Sequence, residues 1–292
     1  MNHEEPLPTA LTLPALIRHL GLTPRREMGQ NFLVDENIAE KIVRCAHLRS
    51  QDRVVEIGPG LGSLTLPLSQ AVGRLCVIER DHRLLPALRL RLGETFPLVV
   101  EQADVLEFDF SELGTRLGGA MKIVGNLPYN ISSPLLIHLL DHRQAIESMT
   151  LMFQKEVAQR ITACPGSGNY GSLAVQTGQW MVADRLFDIG PGAFFPAPKV
   201  QSSVVHFKRR DQPLAPVVDE ALFRRVVRTA FNQRRKTLAN ALHPMHPETK
   251  KWLTVAGIDP SRRAETLSVA EFAQLTNTYA THGQDKEGGT GP

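Results

Sequence analysis

One short glycine-rich stretch limits what this chain can fold into more than any other feature. Residues 54–57, Val-Val-Glu-Ile, form an apolar run typical of a buried strand, and residues 58–62, Gly-Pro-Gly-Leu-Gly, follow it directly. A helical pattern then begins at about Ser63. Glycines at such a turn let the backbone bend sharply and approach a ligand without a Cβ clash. A strand, a glycine turn and a helix in this order predict one unit of an open α/β sheet.

The same alternation of strands and helices continues as far as residue 207. Asp81 is the predicted N-cap of the helix after the second strand, and Ser133 and Pro134 begin another helix. Alternation of this kind predicts a parallel sheet with helices on both faces, so the fold class is α/β of the Rossmann-like type. Further strands are predicted at 75–78, 98–100, 122–124, 149–153 and 203–207.

The pattern changes beyond residue 212, where Pro213 and Pro216 mark a linker. From there on the sequence predicts helices only. We therefore predict a first domain at 1–212 and a small all-helical domain at 213–292, whose last residues have the composition of a disordered tail. The predicted helices lie at about 219–231, 235–242, 247–256 and 268–279.

The spacing of the glycines bears on the ligand. A dinucleotide site has the pattern G-x-G-x-x-G, because its pyrophosphate sits on the following helix N-terminus. Here Gly58, Gly60 and Gly62 give G-x-G-x-G, and Ser63 occupies the place of the final glycine. The pattern favours a ligand without a diphosphate. S-adenosylmethionine, which carries a sulfonium and an amino-acid end, is such a ligand.

Acidic residues follow the next two predicted strands. Glu79 ends the second strand, and its distance in sequence from the glycine turn suits a carboxylate that accepts both hydroxyls of a ribose. Asp104 follows the third strand and can accept a hydrogen bond from the exocyclic amine of the cofactor's adenine. Each acid alone is more often a cap or a solvated residue, but their order after this turn favours a ligand role.

The segment Asn126-Leu127-Pro128-Tyr129 directly follows the predicted strand at 122–124. In an open α/β sheet the carboxyl ends of the strands carry the binding site. The N6 amine of adenine is a poor nucleophile, because its lone pair is delocalised into the ring. The Asn126 side-chain oxygen and the Leu127 carbonyl can accept its two hydrogens and free that lone pair. Pro128 fixes the turn, and Tyr129 can stack on the base.

The chain resembles the small-subunit ribosomal RNA adenine dimethyltransferase family from about Arg25 to Leu275. Beyond the segments already described, the resemblance depends on three stretches. These are Gly29-Gln30-Asn31-Phe32-Leu33, Phe194-Phe195-Pro196-Ala197-Pro198-Lys199-Val200, and Ala256-Gly257-Ile258-Asp259-Pro260-Ser261-Arg262-Arg263-Ala264-Glu265.

The resemblance implies S-adenosylmethionine as the cofactor and 16S ribosomal RNA in the assembling small subunit as the substrate. Two methyl groups go to each of two adjacent adenines in a hairpin loop near the 3′ end of that RNA. Asn31 and Leu33 are implied to lie on a segment that closes over the cofactor, and Phe194 to form a second aromatic wall opposite Tyr129. The residues implied to contact or border the cofactor are Asn31, Leu33, Gly58, Gly60, Glu79, Asp104 and Asn126.

Positive charge concentrates in the second predicted domain, although the whole chain carries a formal net charge of only +3. Charge runs are often solvated faces, but beside an RNA-modifying domain they favour contact with the RNA backbone. We therefore predict an RNA-binding surface in this domain. Its predicted members are Arg224, Arg225, Arg228, Arg234, Arg235 and Lys236.

Other site chemistries find little support in the sequence. Cys45, Cys76 and Cys164 are far apart and predict neither a disulfide framework nor a zinc site. His243 and His246 lie among prolines and lack a third ligand, so no metal is expected. The acidic N-terminus lacks the basic segment followed by an apolar one that forms a signal peptide. The expected location is therefore the cytoplasm. The chain is expected to be monomeric.

Three rival functions remain open at this stage. A dehydrogenase would share the fold, but the glycine spacing and the Asn126–Tyr129 segment speak against it. A large-subunit adenine dimethylase that confers antibiotic resistance would share the first domain, while the stretch 256–265 favours the small-subunit enzyme. A non-enzymatic role as an assembly factor on pre-30S particles is compatible with catalysis.

Overall fold

The computed structural model describes residues 29–93, 95–233 and 235–283, together with residues 15 and 21. The strands are β1 Phe32–Leu33, β2 Val54–Ile57, β3 Leu75–Glu79, β4 Leu98–Gln102, β5 Met121–Asn126, β6 Ile146–Gln154, β7 Met181–Ile189, β8 Phe194–Phe195 and β9 Ser202–Arg209. The α-helices are α1 Glu36–Cys45, α2 Thr65–Ala71, α3 Leu85–Leu92, α4 Phe110–Leu117, α5 Ser132–Asp141, α6 Lys155–Ile161, α7 Ser172–Trp180, α8 Glu220–Phe231, α9 Leu238–Leu242, α10 Thr249–Val255 and α11 Val269–Gly283.

Seven of these strands form one sheet in the order β4-β3-β2-β5-β6-β9-β7, and β1 pairs with β8 in a separate two-stranded sheet. The neighbours from β4 to β6 are parallel, as predicted. β9, however, runs antiparallel to β6, so the prediction of an all-parallel sheet was wrong for this strand. Strands that are buried on both faces are apolar throughout, and such a run looks the same in either direction.

The sequence missed β7, which the structure places at one edge of the sheet. Most of its residues are partly or fully exposed, and Asp184, Arg185 and Asp188 interrupt its apolar positions. An edge strand with charged side chains resists pairing with other chains. The same charges remove the apolar run by which the other strands were recognised.

The core beside the glycine turn is built from the sheet and the first helices. Asp35 caps α1 by accepting a hydrogen bond from the Ile38 amide at 3.1 Å. Ile42 from this helix and Leu68 from α2 are buried in one cluster with Val54 and Val124 of the sheet. Burying each such side chain contributes about 1.5–3 kcal/mol relative to exposure. This cluster packs α1 and α2 against β2 and β5.

Contacts between residues divide the chain into two compact units. Within the described residues, one unit extends to Ala158 and adds Asp184–Lys208, and the other contains Gln159–Ala183 and everything from Arg209 onward. This division lies close to the predicted boundary after residue 212 but adds the segment 159–183 to the second unit. The roles predicted for the two domains stay predictions.

The second unit has a core of its own. On α8, which Asp219 caps through the Leu222 amide, one apolar face is buried. From Arg210 to the end of the described residues this part contains helices and turns but no strand, as the sequence predicted. No helix in the described parts of the chain is both long and apolar enough to cross a membrane.

Candidate active site

A cavity of about 180 Å³ lies at the carboxyl ends of β2, β3 and β5. The strand order reverses beside β2, and ligands of open α/β sheets bind at such a point. All seven predicted cofactor residues line this cavity, and so do four of the five predicted catalytic residues. The lining residues named in the predictions are Asn31, Leu33, Gly58, Gly60, Glu79, Asp104, Asn126, Leu127, Pro128 and Tyr129.

The glycine turn has the conformation that its sequence predicts. Gly58 and Gly60 have φ angles of +65° and +56°, a region that residues with a side chain rarely adopt. The Gly58 amide donates to the Ile78 carbonyl at 2.9 Å, which ties the turn to β3. A Cβ atom on Gly60 would lie 3.1 Å from the Phe32 ring. The turn therefore needs glycine both for its backbone and for the aromatic ring packed over it.

Glu79 is the last residue of β3 and is 8% exposed. Its Oε2 accepts the Gly60 amide at 3.2 Å and its Oε1 accepts the Asp81 amide at 2.8 Å. Burial raises the pKa of Glu79, which the backbone hydrogen bonds only partly offset. A carboxylate has about four lone-pair sites, so Glu79 retains the capacity to accept a hydrogen bond from a ligand hydroxyl.

Asp81 joins the end of β3 to the segment before β1. Its carboxylate receives a two-pronged contact from Arg83, with Nη2 2.6 Å from Oδ2 and Nε 2.8 Å from Oδ1. Gln30 donates to the same carboxylate at 3.1 Å. The hydrogen bond from Arg83 is the main reason why the pKa of Asp81 falls to about 2. The Asp81 carboxylate thus helps to hold Gln30, which lines the cavity.

Asp104 already has two partners in this structure. Its Oδ1 accepts the Leu106 amide at 3.0 Å, and its Oδ2 lies 2.9 Å from Nη1 of Arg80. Arg80 also lines the cavity, although the sequence analysis did not single it out. Its position in the sequence could have indicated this, because Arg80 directly follows Glu79 at the end of β3, where the cavity lies. Arg80 and a ligand amine would share the Asp104 carboxylate.

The segment 29–33 lies against the loop that follows β5. The Asn126 side-chain amide donates to the Asn31 carbonyl at 3.0 Å. A Cβ on Gly29 would come within 2.8 Å of Oδ1 of Asn130, so the two segments are in close contact. With its NH2 group engaged by Asn31, Asn126 has its Oδ1 as the acceptor for a ligand. The closure of this segment over the cofactor stays a prediction.

Tyr129 lines the cavity, and hydrogen bonds hold both its side chain and its backbone. Its phenol lies 2.6 Å from the Ser202 hydroxyl, and its carbonyl accepts the Ser132 hydroxyl at 3.1 Å. Burial raises the pKa of Tyr129 above its usual value, so the phenol is protonated at neutral pH. Ser202 is a residue that the sequence analysis missed, because it lies far from Tyr129 in sequence.

Phe194 does not line the cavity with the other predicted residues. Its backbone pairs with Leu33, its side chain is 4% exposed, and its ring belongs to the core cluster beside the sheet. The neighbouring Phe195 is 39% exposed. The role of Phe194 as a second aromatic wall stays a prediction, and it requires the ring to leave this core.

Glu56 is an acid in the middle of β2, between two apolar neighbours, and it lines the cavity. It is 1% exposed, and its Oε2 has no hydrogen-bond partner in the described part of the chain. Burial raises the pKa of Glu56 to about 8. An unpaired buried carboxyl oxygen fits a cationic ligand group, and the ammonium of an amino-acid end is such a group. In the sequence, Glu56 is one residue of the predicted strand 54–57, and that position alone indicates no role.

The predicted RNA-binding residues belong to the second unit. Arg225, Arg228, Arg235 and Lys236 are exposed, Arg224 is half-buried, and Arg234 lies outside the described residues. Among the described residues no group of three or more His, Cys, Asp or Glu side chains could hold a metal ion. His246 instead stacks on Trp252 with ring centroids 3.9 Å apart and accepts the Glu248 amide.

The strand order, the glycine turn and the acids Glu56, Glu79 and Asp104 around the cavity define a Rossmann-like methyltransferase that depends on S-adenosylmethionine. A family model described as ribosomal RNA adenine dimethylase matches residues 21–281. The chain therefore belongs to the ribosomal RNA adenine dimethylase family, and the family predicted from the sequence is confirmed.

Individual relatives agree with this assignment. Ribosomal RNA small subunit methyltransferase A of Magnetococcus marinus is 51% identical over 263 residues, which cover 90% of this chain and 94% of that protein. The protein of the same name from Pseudomonas aeruginosa is 44% identical, with 88% and 94% covered.

Solved structures show the same fold. A dimethyladenosine transferase from Plasmodium falciparum matches with a TM-score of 0.72 and 25% identity, covering 85% of this chain and 97% of that one. The 23S rRNA methyltransferase ErmE matches with a TM-score of 0.64 and 26% identity, covering 85% and 99%.

Proposed function

We propose that this chain transfers methyl groups from S-adenosylmethionine to N6 of two adjacent adenosines in the 3′-terminal hairpin loop of 16S rRNA, giving N6,N6-dimethyladenosine. Its relatives are named small-subunit methyltransferases, which supports the choice of RNA. The observation that carries the chemistry is the orientation of Asn126. Its NH2 group is engaged by Asn31, so its oxygen is presented to the cavity as an acceptor beside Tyr129.

The residues at the end of β5 act on the amine. The Asn126 oxygen and the Leu127 carbonyl accept its two hydrogens, which localises the nitrogen lone pair and orients it. Pro128 fixes the turn, and the Tyr129 ring stacks on the base, an interaction worth about 1–3 kcal/mol. Phe194 is the proposed second wall of the base pocket. Two effects supply most of the rate enhancement: the alignment of the nitrogen with the methyl carbon and the sulfur, and the oriented dipoles around the amine. No strong general base is required.

Other residues around the cavity hold the cofactor. When bound, S-adenosylmethionine supplies a methyl group on a positively charged sulfur, which needs no further activation. Glu79 accepts the ribose hydroxyls, and Asp104 accepts the amine of the cofactor's adenine. Glu56 faces the ammonium group. Gly58, Gly60, Asn31 and Leu33 border the ligand through close backbone and side-chain packing.

The second domain contributes the RNA contacts. Arg224, Arg225, Arg228, Arg234, Arg235 and Lys236 are proposed to bind phosphates of the RNA backbone, a contact that fixes position without reading sequence. A loop adenine is cheaper to extrude into a pocket than a paired one, which fits a hairpin-loop target. The first domain, 1–212, then performs the chemistry, and the second, 213–292, positions the ribosomal particle.

The proposed setting is the assembling small ribosomal subunit in the cytoplasm. The protein acts there as a monomer on pre-30S particles and also serves as a biogenesis factor. Comparing subunit maturation in cells that carry Asn126→Ala with cells that lack the protein separates the two roles. Normal maturation with the inactive variant indicates an assembly role independent of methyl transfer.

One experiment tests the activity and the RNA together. The protein is incubated with labelled S-adenosylmethionine and with undermodified 30S or 50S particles, and the RNA is digested to nucleosides. The expected product is N6,N6-dimethyladenosine from 30S particles alone. The 50S particles are included because the chain is also similar to the 23S rRNA methyltransferase ErmE. Dimethyladenosine from 50S particles would overturn the small-subunit assignment.

A further inference from the structure

The antiparallel direction of β9 brings its first residue to the catalytic edge of the sheet. Asn126 of β5 is opposite Met152 of β6, which is opposite Val204 of β9, so these three residues form one row. Ser202 precedes Val204 by two residues and pairs with Gln154. At about 3.3 Å per residue it lies roughly 7 Å beyond that row, on the side where the β5–α5 loop begins. A parallel strand would place Ser202 at the opposite edge.

Ser202 meets Tyr129 at this edge. The two hydroxyl oxygens are 2.6 Å apart, a short distance for such a bond, and the Ser202 side chain is fully buried. The start of β9 is also held in place, because the Lys155 amide donates to the carbonyl of Gln201, the residue before Ser202, at 2.9 Å. The phenol of Tyr129 therefore has a rigid partner on a strand of the sheet rather than on a loop.

We propose that Ser202 is a positioning residue for methyl transfer, which holds the plane of the Tyr129 ring against the target base through the phenol. The inference rests on the proposed function, in which Tyr129 stacks on the adenine. Ser132 already fixes the Tyr129 backbone, but the ring can still turn about its side-chain bonds. The bond to Ser202 removes that freedom. A stacked base then keeps its amine beside the Asn126 oxygen, and alignment of this kind acts on kcat.

The chain contains a matched control for this inference. Ser203 is the next residue of β9, is equally buried, and by strand alternation faces the other way. Its hydroxyl donates to Oδ1 of Asp188 at 2.8 Å. The same hydroxyl also lies 3.3 Å from the Phe187 carbonyl, so replacing either serine by alanine removes one buried hydroxyl together with the hydrogen bonds that it makes. Only Ser202→Ala removes the contact with Tyr129.

The test is a double-mutant cycle on the full-length protein, with undermodified 30S particles as substrate. Ser202→Ala is expected to lower kcat about threefold to tenfold, the value of one hydrogen bond, with the Kd of S-adenosylmethionine changed by less than about twofold. Tyr129→Phe keeps the ring and should lower kcat equally. The double variant should lose no more than either single variant, because both remove the same bond. Ser202→Thr, which keeps the hydroxyl, should recover most of the activity.

Three results would overturn the proposal. Losses that multiply in the double variant would mean that Ser202 does not act through Tyr129. An equal loss of kcat in Ser203→Ala, at a similar change in melting temperature, would mean that any buried hydroxyl of β9 matters equally. The activity of the wild-type protein distinguishes a failure of the Ser202 proposal from a failure of the proposed function. If it dimethylates 30S particles and Ser202→Ala does so at the same rate, only the role of Ser202 is lost.

Discussion

Asn126 and Asn31 are joined by a hydrogen bond of 3.0 Å, from the side-chain amide of the first to the carbonyl of the second. The bond connects the end of the central strand β5 to a residue that lies 95 positions earlier in the sequence. It sets the direction of the Asn126 oxygen, on which the proposed handling of the amine depends. It also closes one side of the cavity, since Asn31 lines it.

Replacing Asn126 by alanine should abolish methyl transfer while the protein stays folded. The variant loses both the acceptor for the amine and the bond to Asn31. By analogy with the loss of one oriented hydrogen-bonding group in other enzymes, kcat should fall at least about 100-fold. Labelled methyl transfer to undermodified 30S particles gives the rate, and thermal melting shows whether the fold persists. Near-normal turnover would remove this account of the amine pocket.

Replacing Gly60 by alanine should weaken cofactor binding and destabilise the first unit. Its φ of +56° is unfavourable for alanine, and the new Cβ would lie 3.1 Å from the Phe32 ring. The strain is worth about 1–3 kcal/mol, which calorimetric titration with S-adenosylmethionine and urea unfolding both detect. Gly190→Ala is the control, because Gly190 has a φ of −72° and a methyl group added there would meet nothing within 4 Å. Equal effects of the two substitutions would contradict the role assigned to the turn.

Replacing Glu56 by glutamine should reduce the pH dependence of stability. Burial raises the pKa of Glu56 to about 8 in the folded chain, against an ordinary value of 4.5. Between these pH values the folded protein holds a proton that the unfolded chain has released, so the free energy of unfolding falls as pH rises. The loss is on the order of a few kcal/mol and is complete near the folded pKa.

Urea unfolding of the ligand-free protein at several pH values between about pH 5 and pH 8 measures this dependence. The wild-type midpoint should fall across the range more steeply than that of Glu56→Gln. Glu79, whose pKa is also raised by burial, contributes in the same direction to both proteins, and its charge is one cause of the raised pKa of Glu56. Parallel curves for the two proteins would show that Glu56 does not titrate in this window.

Reversing the charge of Arg225 and Arg228 on α8 should weaken binding to pre-30S particles. Both side chains are exposed, and each lost phosphate contact should reduce the salt dependence of binding by about one unit of slope. Affinity is measured across a salt titration for wild type and for Arg225→Glu with Arg228→Glu. Arg44→Glu, an exposed position on α1 whose ion pair with Glu40 contributes little, is the control. An unchanged salt slope in the double variant would refute the proposed RNA surface.

Much of the site was predictable because its residues follow strands directly in sequence. The glycine turn after β2, Glu79 at the end of β3 and Asn126 at the end of β5 all line one cavity, as expected for the carboxyl ends of parallel strands. Phe194 and Arg80 show the limit of this approach. Phe194 is buried in one core cluster with Leu33 and does not line the cavity, and Arg80 pairs with Asp104 across two strand ends.

The sequence by itself determined the order of strands β2 to β6, the conformation of the glycine turn and the residue types at the strand ends. Each of these depends on a few neighbouring residues and on the preferences of their backbones. The tertiary structure alone decided that β9 runs antiparallel, that Ser202 meets Tyr129 and that Asn31 engages Asn126. Those contacts depend on strand direction and register over long separations. An apolar strand has the same pattern in either direction, so its sequence does not encode them locally.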